Sequence, residues 1–260
     1  MNNSCDNYLA LKAYVDALRQ IPAGSFQMGS ATGYVIEKPV HSVTLSAFRM
    51  GATPVTVTIW KEYCTATGTS LPIASEWGFL DDHPIVNVSW NDIMGVNGDG
   101  GFCAWASDVA GFRVTLPTEA QFEYTSRGGV HNQEFPWGNR FDDSKVWSSV
   151  TAQRTSTAPV VRPSSIYQNE YGLTEMAGNV YQWCFDLYGP YNAAAQTDPT
   201  WPKSTPSNGH CLRGGTWKYN NPGYFRCTSR DRGGADVALP IYGFRLAAGP
   251  GQDSRVRMVP

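Results

Sequence analysis

The sequence is poor in charge and in histidine, and it contains no long apolar run. Lys, Arg, Asp and Glu make up 16% of the 260 residues, and the formal net charge is -2. Such a balance offers no electrostatic footing to nucleic acid or to an anionic membrane. No run of about 18 apolar residues occurs, so no membrane-spanning helix is expected. The N-terminus, MNNSCDNYLALKAYVDALRQ, lacks a basic segment followed by an apolar one. It therefore shows no secretory signal, and localisation stays open. His41, His83, His131 and His210 are isolated, which excludes a local two-histidine helical metal motif. GxGxxG, GxxxxGK[ST] and GxSxG are all absent, which removes the common phosphate-cradling loops and the hydrolase nucleophile elbow. Cys5, Cys64, Cys103, Cys184, Cys211 and Cys227 form no CxxC pair, so a zinc ribbon or a thioredoxin-like motif is excluded. They read as buried free thiols, with a Cys211–Cys227 bridge left open as an alternative.

Aromatics, glycine and proline fill the space that charge leaves. With 9 Trp, 13 Tyr, 26 Gly and 17 Pro, the chain suits short strands and long ordered loops rather than a helical bundle. Residues 6–20 carry Tyr8, Leu11, Val15 and Leu18 at helical spacing, with Asp6 as the expected cap. HSVTLSAFRMGATPVT alternates around Val43, Leu45 and Phe48, as a half-buried strand does. TVTIWKEYCTATG reads as a helix ended by Gly68. HPIVNVSWNDIM reads as a strand and then a helix capped by Ser89 or Asn91, and FCAWAS resumes helix after the glycine-rich GVNGDGG. Asn97 and Asp99 in that piece lack the further acids of an EF-hand, so it reads as a surface insertion. FRVTLPTEAQFEYTSRGG reads as a strand, then a helix from a Thr118/Gln121 capping box to Gly128. Short strands are expected near YQWCFDLY, LRGGTW, YFRCTSR and YGFRLA. Asp81-Asp82 and Asp142-Asp143 lie on loops and read as solvated. No repeat or linker divides the chain. Its expected organisation is an N-terminal helical extension (1–20), one domain (21–248) and a loose tail (249–260).

Eight ordered blocks carry a family resemblance: IPAGSFQMGS, HSVTLSAFRMGATPVT, PIVNVSWND, FRVTLPTEAQFEYTSRGG, FPWGN, YGLTEMAGNVYQW, LRGGTW and YGFRLA. Together, from Ile21 to Ala247, they resemble the formylglycine-generating-enzyme, or sulfatase-modifying factor, domain. The resemblance implies a single-domain α+β, C-type-lectin-like fold, loop-rich with short strands and a few helices. Enzymes of this family oxidise a substrate cysteine with copper and two cysteines placed just after the RGGS strand. Counted from Arg213-Gly214-Gly215, the matching positions here are Tyr219 and Tyr224, so the resemblance implies no catalytic residue and no required cofactor. A phenol cannot replace the soft thiolate pair that suits Cu(I). A second catalytic branch uses non-haem iron and a histidine-rich helical region ahead of this fold. Residues 1–20 contain no histidine, which argues against that branch. The family also carries structural calcium, and the matching ligands would be the Glu175 side chain, the Gly178 and Val180 carbonyls and the Gln182 side chain. A second family calcium site, near Lys145 to Trp147, reads as lost.

Similar folds serve as variable proteins of diversity-generating retroelements, where mutation of adenines yields Tyr, Ser, Asp, Gly and Ala but not Lys, Glu, Gln, Met or Trp. From Tyr219 to Ala247 none of those five occurs. Tyr gives a stiff contact area with a polar tip, and Ser, Gly, Asn and Asp adapt their hydrogen bonds. The expected recognition residues are Tyr219, Asn221, Tyr224, Ser229, Asp231, Gly233, Ala235, Ala238, Leu239 and Tyr242. Arg213, Gly214, Gly215, Trp217, Arg226, Arg230, Gly243, Phe244 and Arg245 match family blocks and read as scaffold, the arginines tying loops through backbone carbonyls. The function so implied is non-catalytic binding of a protein or surface glycan through residues 217–245. A divergent oxidase built on Cys227 and a silent accessory domain are the competing readings.

Overall fold

The computed structural model describes residues 8–96, 98, 100–129, 133–160, 168–200 and 209–249. Asp6, Asn97, Asp99, His131 and the tail beyond residue 249 lie outside them. Helix α1 (Leu9–Asp16) starts without a side-chain cap of its own. Its first amides, Ala10 and Leu11, donate instead to the Glu62 carboxylate at 2.9 Å each, a cap supplied by the neighbouring helix α2 (Val57–Thr67). Helix α2 runs from the Thr56 side-chain cap to Gly68 at φ 73, as its sequence implies. Ser89 caps α3 (Trp90–Met94) in a capping box with Asp92, and α4 (Gly101–Ala110) follows the glycine-rich turn. Thr118 and Gln121 form the expected capping box on α5 (Glu119–Ser126).

Among the described residues, ten short strands make three sheets. β4 (Phe48–Met50) lies between β1 (Arg19–Ile21) and β10 (Ala247–Ala248). β3 (His41–Leu45) lies between β2 (Gly24–Met28) and β6 (Gln196–Thr197). The third sheet has the order β8 (Arg230–Gly233), β7 (His210–Arg213), β5 (Tyr181–Leu187), β9 (Tyr242–Gly243), with β9 parallel to β5. The β5–β7 register shifts between Trp183 and Leu187, the irregularity expected of a bulge.

Three expected strands differ from the sequence reading. The alternating run 41–50 is two strands in two sheets. The Ser46 amide and hydroxyl both donate to Asp198, at 2.8 and 2.7 Å, which turns the chain between them. HPIVNV forms no strand: Pro84 offers no N–H, and Asn87 sits at φ 58, outside the extended region. FRVTL contributes one bridge, Thr115 to Ala247, while the Val114 amide is taken by the Ser107 hydroxyl.

The principal core gathers α1, α2 and α4 with Trp183, Phe244 and Leu246; Trp60 stacks on Phe102 at 5.2 Å. Leu11, Val15 and Leu18 belong to it, so α1 packs with the rest of the domain rather than outside it. A second cluster joins β2, β3 and α5 around Phe26, Val43 and Phe122. Every residue of α5 is buried, including two glutamates.

Candidate functional site

Those glutamates explain how the C-terminal segment is held. Arg213 reaches Glu123 at 2.6 Å and Glu119 at 3.1 Å; Arg230 reaches Glu119 at 2.6 Å; Arg127 reaches Glu123 at 2.8 Å. Burial alone would raise the Glu119 carboxyl, but Arg230 and then Arg213 outweigh it and hold it below the usual carboxylate range. Burial acts the same way on Glu123, where Arg127 and Arg213 reverse it. A third buried acid, Glu37, accepts from Arg226 at 2.5 Å and from the Thr228 hydroxyl at 2.7 Å. The expected ties to carbonyls also exist, from Arg213 to Cys227 and Ser229 and from Arg230 to Ile36. The carboxylate partners are what the sequence reading missed.

Above this frame, a short 3-10 turn (Pro222–Phe225) begins at Asn221, whose side chain accepts from the Gly223 amide. The turn brings Tyr224 against Tyr219, with ring centroids 4.6 Å apart. Tyr219 then meets Tyr181 edge-on at 5.7 Å, and Tyr181 meets Tyr242 at 6.3 Å. Asp231 enters the same group from β8. After burial, its charge is the largest influence raising the phenols of Tyr181, Tyr219 and Tyr242. Asn221, Ala238 and Leu239 are exposed, and Tyr219, Tyr224, Asp231 and Ala235 are half-buried.

Three expected recognition residues are placed differently. Ser229 is buried, its carbonyl bound by Arg213. Gly233 is buried under Trp183, and a Cβ there would lie 2.4 Å from the indole, so the position is closed to a side chain. Tyr242 keeps 9% of its surface and serves mainly as the floor beneath Tyr181.

Two segments outside the C-terminal stretch border the tyrosines. Tyr34 stands 6.5 Å from Tyr224, beneath the Arg226 guanidinium, and Val35 beside it is 83% exposed. On the other side Trp77 meets Trp217 edge-on at 5.5 Å. Asn87 donates from its amide to the Leu239 carbonyl and from its side chain to the Ile73 carbonyl, and Ile73 is 87% exposed. No local pattern marks Val35 or Ile73 in the sequence. The one available signal was Asn87, a residue type that tolerates left-handed backbone.

A model of the sulfatase-modifying factor enzyme 1-like domain matches residues 12–249. The chain belongs to this family. Serine/threonine-protein kinase pkn1 of Chlamydia caviae is 33% identical over 253 residues, 88% of this chain and 37% of that protein. The chain thus spans well under half of that relative. The formylglycine-generating enzyme of Bos taurus is 26% identical over 291 residues, covering 88% of this chain and 73% of the enzyme. Among solved structures, Treponema denticola variable protein 1 aligns with a TM-score of 0.73 and 23% identity, over 90% of this chain and 95% of that one, which establishes a shared fold. No helix among the described residues is long and apolar enough to cross a membrane.

Two family features can be tested on this sulfatase-modifying factor domain. Of the implied calcium ligands, the Gln182 side chain is engaged by protein groups. The Gln182 side-chain oxygen accepts from the Arg245 Nε at 2.6 Å, and its amide nitrogen donates to the Glu175 carbonyl at 2.6 Å. Arg245 also donates to the carbonyls of Gly51, Thr174 and Glu175. A buried guanidinium thus ties this corner together by hydrogen bonds. Burial pushes Arg245 down to about 10, so it stays charged at neutral pH. The cysteines form the other feature. Cys211 and Cys227 are free and buried, with no bridge between them. Burial pushes the Cys227 thiol up to about 12, which leaves little free thiolate at neutral pH.

Proposed function

We propose that the chain is a non-catalytic recognition protein whose exposed C-terminal residues form a diversified binding face. On this reading Tyr219 and Tyr224 stand where catalytic relatives keep their cysteine pair, and the former reactive position has become contact surface. The observation that carries the proposal is the division of residues 217–245. Arg213, Arg226 and Arg230 are fastened from below by Glu119, Glu123 and Glu37, while Tyr219, Asn221, Tyr224, Asp231, Ala238 and Leu239 reach solvent above them. A fixed frame under changeable side chains is what a diversified surface requires. The ligand is a protein or a surface glycan.

DNA beside the gene tests the retroelement origin. A near-copy of the segment encoding residues 219–247, differing at adenines and next to a reverse transcriptase, is expected. Its absence overturns that origin. Enzymatic function is tested with copper and a cysteine-bearing peptide: no oxidation is expected, and turnover abolished by Cys227→Ser would refute the non-catalytic reading. An accessory recognition domain within a larger protein is a second reading, favoured by the match to 37% of a kinase-named relative.

A further inference from the structure

A cleft of about 500 Å³ lies where three separate parts of the chain meet: the end of β2 with the turn after it, the loop 133–139, and the C-terminal segment at Arg226 and Thr228. Its walls are fastened to one another. Arg127 donates to the Gly29 carbonyl at 3.2 Å on one wall and to the Gln133 carbonyl at 3.1 Å on another. The Gly29 amide donates to the Glu123 carboxylate at 2.9 Å, and the Cys227 amide to the Glu134 carbonyl at 2.8 Å. Buried Glu37 accepts from both Arg226 and Thr228. The depression is therefore formed before any ligand arrives.

Its lining is polar without being cationic. The Arg127 and Arg226 guanidiniums are met from inside by Glu123 and Glu37, and the remaining charge, Glu134, is an exposed acid. An anion thus meets no excess of positive charge, and a single carboxylate in solvent is screened and holds a cation weakly. Among the described lining residues only Ala31 and Val40 have apolar side chains, too little for an apolar anchor. What the walls offer is hydrogen bonding. The exposed Gln27 amide has no partner among the described residues. Asn139 uses its oxygen on the Glu134 amide at 2.9 Å, which leaves its NH2 to a ligand. The Ser30 and Thr32 hydroxyls lie in solvent 3.4 Å apart. An amide presents a donor and an acceptor side by side, and each hydroxyl of a sugar both donates and accepts. A sugar ring also holds its hydroxyls in fixed directions, so it loses little freedom against preformed walls. We infer that this cleft binds a neutral sugar residue, with its hydroxyls spanned by Gln27, Asn139, Ser30 and Thr32. These four residues lie outside 217–245, so the inference goes beyond the diversified face and does not depend on it.

The test follows backbone and side-chain amides of the full chain by NMR. The probes are the methyl glycosides of glucose, galactose, mannose and N-acetylglucosamine, with cyclohexylmethanol, sodium acetate and methylammonium chloride as apolar, anionic and cationic counterparts. At least one glycoside is expected to shift the Ser30 and Thr32 amides and the Gln27 and Asn139 NH2 groups saturably, and the three counterparts are expected to leave them in place. Gln27→Ala and Thr32→Val alter exposed side chains that hold no wall together. Each should weaken that glycoside about threefold to tenfold while the amide spectrum outside the cleft stays unchanged. The inference is overturned by the absence of a saturable shift with all four glycosides, by equal shifts with any counterpart, or by an unaltered titration in both variants. Glycoside shifts confined to residues 219–242 also overturn it, and they would place a glycan on the recognition face instead.

Discussion

At Gly233 the reason for glycine is packing. The position is in β8, and a Cβ would press into Trp183, whose indole is buried in the principal core. Gly233→Ser is therefore expected to cost about 1–3 kcal/mol through overpacking, read as a lower midpoint in urea unfolding. Ala238→Asp, a few residues on but exposed, should stay within about 0.5 kcal/mol of the parent. Equal effects at the two sites would show that the division into frame and face is misplaced. Composition placed both residues in one biased segment, because glycine and alanine satisfy a coding bias and a tight packing site equally well. Only the approach of Trp183, distant in sequence, separates them.

Helix α5 shows the same limit at the scale of an element. Its start was legible, since a capping box is made within four consecutive residues. Its burial on all sides was not, because EAQFEYTS carries two acids and their partners are far along the chain. Arg230 is 111 residues from Glu119, and Arg213 is 90 from Glu123. The helix locks β7 and β8 through these pairs, so removing one partner leaves a buried charge exposed to desolvation. Arg230→Met is expected to destabilise by about 3–5 kcal/mol, and the double variant with Glu119→Leu by much less than the two singles together. Independent, additive losses would refute the coupling. The pH dependence has a definite sign. Both glutamates have folded pKa values below their unfolded ones, near 4.3. Their contribution is complete above that value and is lost as pH falls toward the folded pKa, so stability should drop below about pH 4. Arg230→Met should flatten that slope.

For the whole molecule, the question is what fixes so loop-rich a chain, whose described cysteines are all free. The fold itself was legible from ordered blocks that recur across a family, whereas the fixtures were not, since they depend on where side chains point. Gln182 occupies a ligand position in sequence, yet its oxygen is turned to Arg245. Arg245 gathers the Gly51, Thr174 and Glu175 carbonyls from loops remote from its own segment. Its planar fork of donors does by hydrogen bonding what an ion does by coordination, and it cannot be removed by a chelator. Thermal unfolding should therefore be the same in excess calcium and in EGTA, and unchanged by a reductant, given that Cys64, Cys103, Cys184, Cys211 and Cys227 are free. The contrast is measurable. Calcium at a hundred times its dissociation constant would add about 2.7 kcal/mol, which moves the midpoint of a domain this size by roughly 5–10 °C. A rise of that size on adding calcium would support the ion and require Gln182 to release Arg245; a fall on reduction would require a cysteine bridge that these separate thiols do not make.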